Sequence, residues 1–406
     1  MNVRQAQLPK GWELKKLRDV ILEIKDGGTP SRTKPEYFGG DVSWCVVKDI
    51  SPEIYSTREN LTELGLSKCS AKEWPINSVI ISLGATIGQV GIAKIPVATK
   101  QGISGIIVNQ TLLKPELLVY YLNFQKDFIQ RAATGATIKE VRPSKLADIL
   151  DFPLPPISEQ QRIVSILDEA FAAIAKAKTN AKQNLKNAKE LFESYLQGVF
   201  ENKGEGWEEK TLGVVYDVRD GTHDSPKYQE EGFPLITSKN LKKDLLNYDN
   251  VNYISEQDYI NINKRSKVDK GDILFAMIGT IGNPVVIQDE PDFAIKNVAL
   301  FKVPKEQNSY FLKYYLDAKS TIDKMMGDAK GTTQKFVGLG YLRGFKILMP
   351  PIKEQQNIVQ KLDALSTETK KLEAIYQQKI NDLEDLKKSV LQKAFSGELK
   401  TEKELV

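Results

Sequence analysis

Apolar residues recur every third or fourth position in two long stretches of this chain. The first runs through Ile163, Leu167, Ala170, Ile174, Ala177, Ala181, Leu185, Ala188, Leu191, Tyr195 and Val199. The second runs through Ile358, Leu362, Leu365, Leu372, Tyr376, Ile380, Leu383, Leu386 and Val390, with Thr369 as its one polar break. Near-heptad spacing of this kind makes a narrow stripe on one face of an α-helix, the pattern of a helix that pairs with another helix. Pro155-Pro156 and Pro350-Pro351 lead into the two stretches. Proline is excluded from a helix interior and biases the residue before it to extended structure, so each helix begins only after its proline pair. Ser158 with Gln161 fits a capping box, and Glu159 lies where the helix dipole favours an anion. Lys353 replaces the serine in the second stretch, which implies a weaker or different cap there. A helix over 158–200 spans roughly 64 Å at about 1.5 Å per residue. The first stripe is rich in alanine and the second in larger side chains, which suits packing of one against the other.

The two stretches are copies. Pro155-Pro156-Ile157-Ser158-Glu159-Gln160-Gln161 returns as Pro350-Pro351-Ile352-Lys353-Glu354-Gln355-Gln356, and 352 minus 157 gives an offset of 195 that holds without a gap to the helix ends. The sequence before each helix repeats as well. Gly11-Trp12-Glu13 returns as Gly206-Trp207-Glu208, and the turn cluster Asp26-Gly27-Gly28-Thr29 is echoed by Asp220-Gly221-Thr222-His223. The buried-strand pattern Val79 to Gly88 matches Ile273 to Gly282 at an offset of 194, a one-residue slip in the preceding loops. Ala98-Thr99-Lys100-Gln101 matches Ala294-Ile295-Lys296-Asn297, and short helices are expected at 117–133 and 310–326. The order is therefore globular unit (1–152), long helix (153–203), globular unit (204–347), long helix and tail (348–406). Mixed β-branched runs, turn clusters and short helices make each unit α+β. Glu36 to Cys69 bears little relation to Tyr228 to Lys267, so a shared skeleton carries divergent loops and two different recognition surfaces.

Composition narrows the chemistry. Charged residues make up 27% and the net charge is only +4, so any nucleic-acid binding must come from local clustering rather than bulk charge. Cys45 and Cys69 have no partner motif, which fits a reduced cytoplasmic setting. His223 is the single histidine, which removes the usual ligands of most zinc sites and the base of histidine triads. The most membrane-like window, Val79 to Ala98, is broken by Gly84, Gly88, Gly91, Lys94 and Pro96, and reads as buried strands joined by glycine turns. No phosphate loop occurs, and Gly338 to Gly344 spaces its last glycine wrongly for a dinucleotide fingerprint. Leu154 and Met349 stand where an amino-methyltransferase motif before Pro-Pro needs a side chain able to hydrogen-bond an amine. No metal, cofactor or catalytic cluster is expected.

Together, the repeated Pro-Pro-Ile-x-Glu-Gln-x-x-Ile-Val lead-ins, the Gly-Trp-Glu openings and the turns Ala85 to Gly88 and Gly279 to Gly282 resemble the DNA-specificity subunits of type I restriction–modification systems. The resemblance covers nearly the whole chain and implies two target-recognition domains separated by two long helices forming an antiparallel coiled coil. Each domain is then expected to read one half of an asymmetric bipartite site in double-stranded DNA, with the helices setting the spacer between the halves. It further implies two methyltransferase subunits docked along the helices, carrying adenine-N6 chemistry and S-adenosylmethionine, and motor-nuclease subunits completing the complex. The Glu159, Gln160, Gln161 and Glu354, Gln355, Gln356 triplets are the candidate docking residues. Two related but unequal domains suit a non-palindromic site, since identical copies demand a palindrome. Phosphates call for Lys and Arg, base edges for Arg, Lys, Asn, Gln and Ser/Thr. The candidates are Lys25, Arg32, Lys34, Lys48, Lys100, Gln101, Thr137 and Lys139 in the first domain. In the second they are Arg219, His223, Lys227, Lys239, Lys296, Asn297, Thr333 and Lys335. A coiled-coil scaffold with two protein- or carbohydrate-binding domains is the alternative and predicts no salt-dependent DNA affinity. A self-sufficient nuclease lacks its metal and catalytic clusters.

Overall fold

Helix follows each proline pair at once. In the computed structural model, which describes residues 8–135, 139–202 and 204–399, the long helices run Ile157–Glu201 and Ile352–Ser396, 45 residues each. The chain forms two units: residues up to Ala181 together with those from Gln378 onward, and Lys182–Gln377. Each unit therefore holds one globular part and half of each long helix. No helix among the described residues is long and apolar enough to cross a membrane.

In the first unit, strand Glu13–Lys16 pairs antiparallel with Asp151–Leu154, joining the start of the globular part to the residues just before the helix. A five-stranded sheet has the order Ile21–Asp26, Ile103–Val108, Val79–Ser82, Val90–Ala93, Glu53–Ile54, and a four-stranded sheet the order Glu59–Leu61, Phe38–Cys45, Val97–Thr99, Glu73–Trp74. The expected helix at 117–133 is two helices, Pro115–Phe124 and Lys126–Arg131. Their apolar faces close a core with Tyr121, Phe152, Ile163 and Leu167, which also takes in Leu391 and Phe395 of the second long helix. Tyr121 meets the rings of Phe152 and Phe395 edge-on at 4.7 and 4.8 Å. Lys178 pairs with Glu384 across the helices.

The second unit repeats this plan. Glu208–Thr211 pairs with Lys346–Met349. One sheet has the order Asp217–Asp220, Val298–Lys302, Ile273–Ala276, Gly282–Val286, and another Asn252–Ile254, Phe233–Ile236, Ala294–Ile295. Helices Ser309–Asp317 and Lys319–Asp328 replace the expected 310–326. Leu196 and Phe200 of the first long helix share a core with Val359 and Leu362 of the second. In both units the start of one helix lies against the end of the other, so the pairing is antiparallel.

Two details of the long helices depart from expectation. Leu191, Tyr195, Leu372 and Leu386 lie on the sequence stripe yet are exposed, 52%, 41%, 38% and 48% respectively. On the first helix burial passes instead through Ala188, Phe192, Leu196 and Phe200. A helix of 3.6 residues per turn drifts off a 3.5-residue seam, so steps of four carry the buried face one residue past Leu191 and Tyr195. Thr369, the polar break, is buried, and its hydroxyl donates to the Leu365 carbonyl at 2.9 Å.

The capping box is not formed as expected either. Ser158 lies inside the first turn, because the helix already starts at Ile157. The polar anchor is the next residue but one. Gln160 is fully buried; its Oε1 accepts from Lys114 N at 2.9 Å, and its Nε2 donates to the Leu112 and Pro155 carbonyls at 2.7 and 2.9 Å. Gln355 does the same, accepting from Asn308 N at 3.0 Å and donating to Gln307 Oε1 and the Pro350 carbonyl at 2.8 and 2.9 Å. These two glutamines staple helix to globular part and are not available as docking residues. The exposed docking candidates reduce to Gln161 and Gln356, with Glu159 and Glu354 half-buried; Glu159 forms two 2.8 Å hydrogen bonds with Arg162. A second pin follows in each copy. Tyr120 OH donates to Asp168 Oδ1 at 2.5 Å, and Tyr314 OH to Asp363 Oδ1 at 2.6 Å. Burial and the neighbouring carboxylate hold both phenols well above their ordinary pKa.

A buried polar group left without its partner costs about 1–3 kcal/mol. Gln160→Ala is expected to destabilise the first unit by about 2–3 kcal/mol in urea titration, and Gln355→Ala the second by a similar amount. Ser158→Ala, outside any cap, should stay within about 0.5 kcal/mol.

Candidate nucleic-acid interface

In both units an Asp-Gly loop crosses the turn that precedes an inner strand of the sheet, Ile103–Val108 in the first and Val298–Lys302 in the second. In the first, Gly27 N donates to the Ile103 carbonyl at 3.0 Å and Gly28 N to that of Thr99 at 2.9 Å. A Cβ on Gly27 would sit 2.1 Å from the Thr99 oxygen, so only glycine permits the crossing. In the second, Gly221 N donates to Val298 O at 3.1 Å and Thr222 N to Ile295 O at 3.0 Å, and a Cβ on Gly221 would lie 2.3 Å from the Ile295 oxygen. The Ala-Thr-Ile-Gly type turn joins the same edge: Gly84 N donates to Gly102 O at 3.0 Å and Ala85 N to Lys139 O at 3.3 Å. Its counterpart has Gly279 N donating to Lys335 O at 2.8 Å. Ala85 and Gly279 occupy the same left-handed position, φ 52° and 78°.

The crossing in the first unit is furnished by aromatic and charged groups. Asp26 accepts from Gly102 N at 3.1 Å, and burial pushes its carboxyl above the usual range. Trp44 is fully buried and donates Nε1 to the Gly28 carbonyl at 3.1 Å, which fixes its ring under the loop. The Arg32 guanidinium lies 4.8 Å from the Phe38 centroid and 5.1 Å from that of Trp44, and donates to Glu59 Oε2 at 2.5 Å. The hydrogen bond from Arg32, with the charge of Lys100 behind it, holds Glu59 below the usual carboxylate range. Arg32 is thus held in one plane with its charge balanced, which suits a hydrogen-bonding fork better than a phosphate anchor.

Around this crossing the structure gathers Arg32, Lys100 and Gln101, with Lys139 on the adjoining turn. Lys25 lies exposed on the strand Ile21–Asp26, Lys48 exposed on the turn Val47–Asp49, and Lys34 stands 3.9 Å from Glu36. Thr137 lies outside the described residues.

The second unit furnishes the same place differently. His223 sits between Asp220 and Asn297, Nε2 2.9 Å from Asp220 Oδ2 and Nδ1 2.8 Å from Asn297 Oδ1. Arg265, from the helix Glu256–Ser266, pairs with the other Asp220 oxygen. Lys227, Lys239 and Thr333 are exposed. Three other candidates also have partners within the unit. Lys296 is buried and donates to Ser225 at 2.5 Å; Arg219 pairs with Asp217 at 2.6 Å; and Lys335 donates to the Met326 carbonyl at 3.1 Å. Sequence reasoning missed Trp44, Glu59 and Arg265, which lie in the divergent segments. Asp26 and Asp220 lie in the Asp-Gly echo but were not among the candidates either. Burial pushes the Cys45 thiol up to about 12, which leaves it no nucleophile's role.

The profile of the type I restriction modification DNA specificity domain matches residues 9–187 and again 204–384. The chain belongs to this family. Since 204 minus 9 is 195, the two matches fall on the internal repeat itself. Among specificity subunits, that of MjaIX from Methanocaldococcus jannaschii is 27% identical over 98% of this chain and 95% of its own length. The EcoKI specificity subunit of Escherichia coli is 23% identical over 71% and 68%. The HsdS subunit of Thermoanaerobacter tengcongensis shares the fold, with a TM-score of 0.63 and 21% identity over 97% of this chain and 98% of that one. A chain from a study of type I complex assembly and conformational transition gives 0.77 at 20% identity, over 97% and 99%. The chain is thus a type I DNA specificity subunit, and nothing in these likenesses supports a scaffold for protein or carbohydrate ligands.

Glu59→Gln leaves the Arg32 stack but removes its counter-charge. DNA affinity measured against salt should steepen by about one in the log–log slope, and discrimination between cognate and random duplexes should fall. An unchanged slope would show that the pair does not face DNA.

Proposed function

We propose that each globular unit of this specificity subunit reads one half of a split, asymmetric DNA sequence and performs no catalysis itself. One observation carries the reading. The same loop-over-turn crossing holds Arg32, Glu59 and Trp44 in one unit and His223, Asn297 and Arg265 in the other. Equal scaffolds with unequal readers suit two unequal half-sites. Exposed Lys25, Lys48, Lys139, Lys227 and Lys239 supply phosphate contacts around them, with Lys34 and Thr333 as further candidates. Partners carry the chemistry: two methyltransferase subunits transfer the methyl group to adenine N6, and motor-nuclease subunits cut. The work is cytoplasmic, where the DNA is. The long helices are continuous through both units and set the unread spacer.

Leu191, Tyr195, Leu372 and Ile375 in the second unit, and Leu386 in the first, are exposed apolar side chains on those helices. With Glu354 and Gln356 in the second unit, and Glu159 and Gln161 in the first, they offer each methyltransferase subunit a docking surface of its own, of the kind a partner helix fills.

Replacing residues 1–152 by the matching segment of a relative should change one half-site and leave the other intact in genome-wide adenine-methylation maps. Alteration of both halves would contradict independent reading. Leu191→Lys with Ile375→Lys should weaken partner binding at least about tenfold while DNA binding by the chain alone persists, as read by mass photometry and anisotropy.

A further inference from the structure

His223 is the only histidine of the chain, and both of its ring nitrogens are engaged. Asp220 is buried and held by Arg265, so its carboxylate accepts and Nε2 carries a hydrogen. The other nitrogen, Nδ1, faces the Asn297 amide, which can offer either an oxygen or an NH2 group. The backbone of Asn297 is fixed. It sits at φ 54°, donates its N–H to the Thr222 carbonyl at 3.2 Å, and accepts from Ser238 Oγ at 3.3 Å. Only the terminal amide is left to respond to the ring.

Two arrangements satisfy all of these groups. A cationic ring donates from Nδ1, draws the amide oxygen inward and turns the NH2 outward, which is the orientation seen. A neutral ring presents a lone pair at Nδ1, draws the NH2 inward and turns the oxygen outward. Outward NH2 suits purine N7 or O6 acceptors; outward oxygen suits the exocyclic amines of adenine or cytosine. The groups facing the imidazole are Asp220 and, behind it, Arg265. Asp224 follows in the chain, and Lys296 is occupied by Ser225.

We propose that His223 is a positioning residue whose charge sets the orientation of the Asn297 amide, and with it the base-pair preference at one position of the second unit's half-site. The proposal rests on the reading of that unit as a sequence reader. The first unit provides an internal control, because Thr29 stands in the place of His223 in the Asp-Gly echo and Gln101 in that of Asn297.

The test uses the full chain assembled with its methyltransferase partners and duplexes varied one base pair at a time across both half-sites. Binding is ranked at about pH 5.5 and about pH 8, a range that spans the usual charge change of histidine. A general charge effect would raise affinity for every duplex alike at low pH. The expected result is a change of about tenfold in relative preference at one base pair of the second half-site. The first half-site should keep its ranking, and the shift should vanish in His223→Gln, an exposed position where folding is not at stake. An identical ranking at both pH values, or a shift that persists in His223→Gln, overturns the proposal. Nitrogen-15 NMR of the single imidazole should show the Nε2–H tautomer at high pH; the Nδ1–H tautomer overturns it as well. Absence of any sequence preference in the second half-site, with the first intact, overturns the underlying reading of that unit and the proposal with it.

Discussion

A buried amide at the start of each long helix is the constraint on which the rest depends. Gln160 and Gln355 each satisfy a backbone N–H before a short helix and the carbonyl of the first proline in the lead-in. The proline pair removes backbone donors just where a helix needs capping, and the glutamine returns the chain to full hydrogen bonding inside an otherwise apolar boundary. Because a glutamine without its partners is costly there, helix direction and domain placement are specified together. The repeat of this device explains why the lead-in is the best-preserved stretch between the two copies.

The recognition region follows the opposite rule. Its backbone is dictated by glycines that tolerate no Cβ at the crossing, while beyond the shared Asp26/Asp220 and Lys100/Lys296 its side chains differ between copies. Several of its cations are already balanced: Arg32 by Glu59, Arg219 by Asp217, Arg265 by Asp220. Balanced cations have little to offer a phosphate beyond geometry, so on the proposed reading affinity and discrimination fall to different residues in the same patch. This agrees with a net charge of only +4 for the chain.

Much of this was legible from the residues alone. The offset of 195 located both helices to within a residue of Ile157–Glu201 and Ile352–Ser396, and the β-branched runs at Val79 and Ile273 are buried strands. Three things were not legible. Gln160 and Gln355 looked like exposed contacts because glutamine is usually at the surface, and nothing local to the motif reports burial. The stripe through Leu191 and Tyr195 was read at one period, whereas the helix drifts to Phe192 and Leu196. The partners of Lys296 and Lys335 could not be read, because sequence does not show a serine hydroxyl or a helix-end carbonyl arriving from elsewhere in the chain.

The Tyr120–Asp168 and Tyr314–Asp363 pairs add something that the glutamines cannot supply alone. A single attachment point would let a globular part roll about the helix axis. Gln160 and Asp168 are eight residues apart, about 12 Å along the helix, as are Gln355 and Asp363. Two pins at that separation resist torque. Twist or bend imposed by a stiff duplex on either globular part is therefore delivered to its helix as torsion instead of being lost at a soft joint, and each helix behaves mechanically as a shaft keyed to its head.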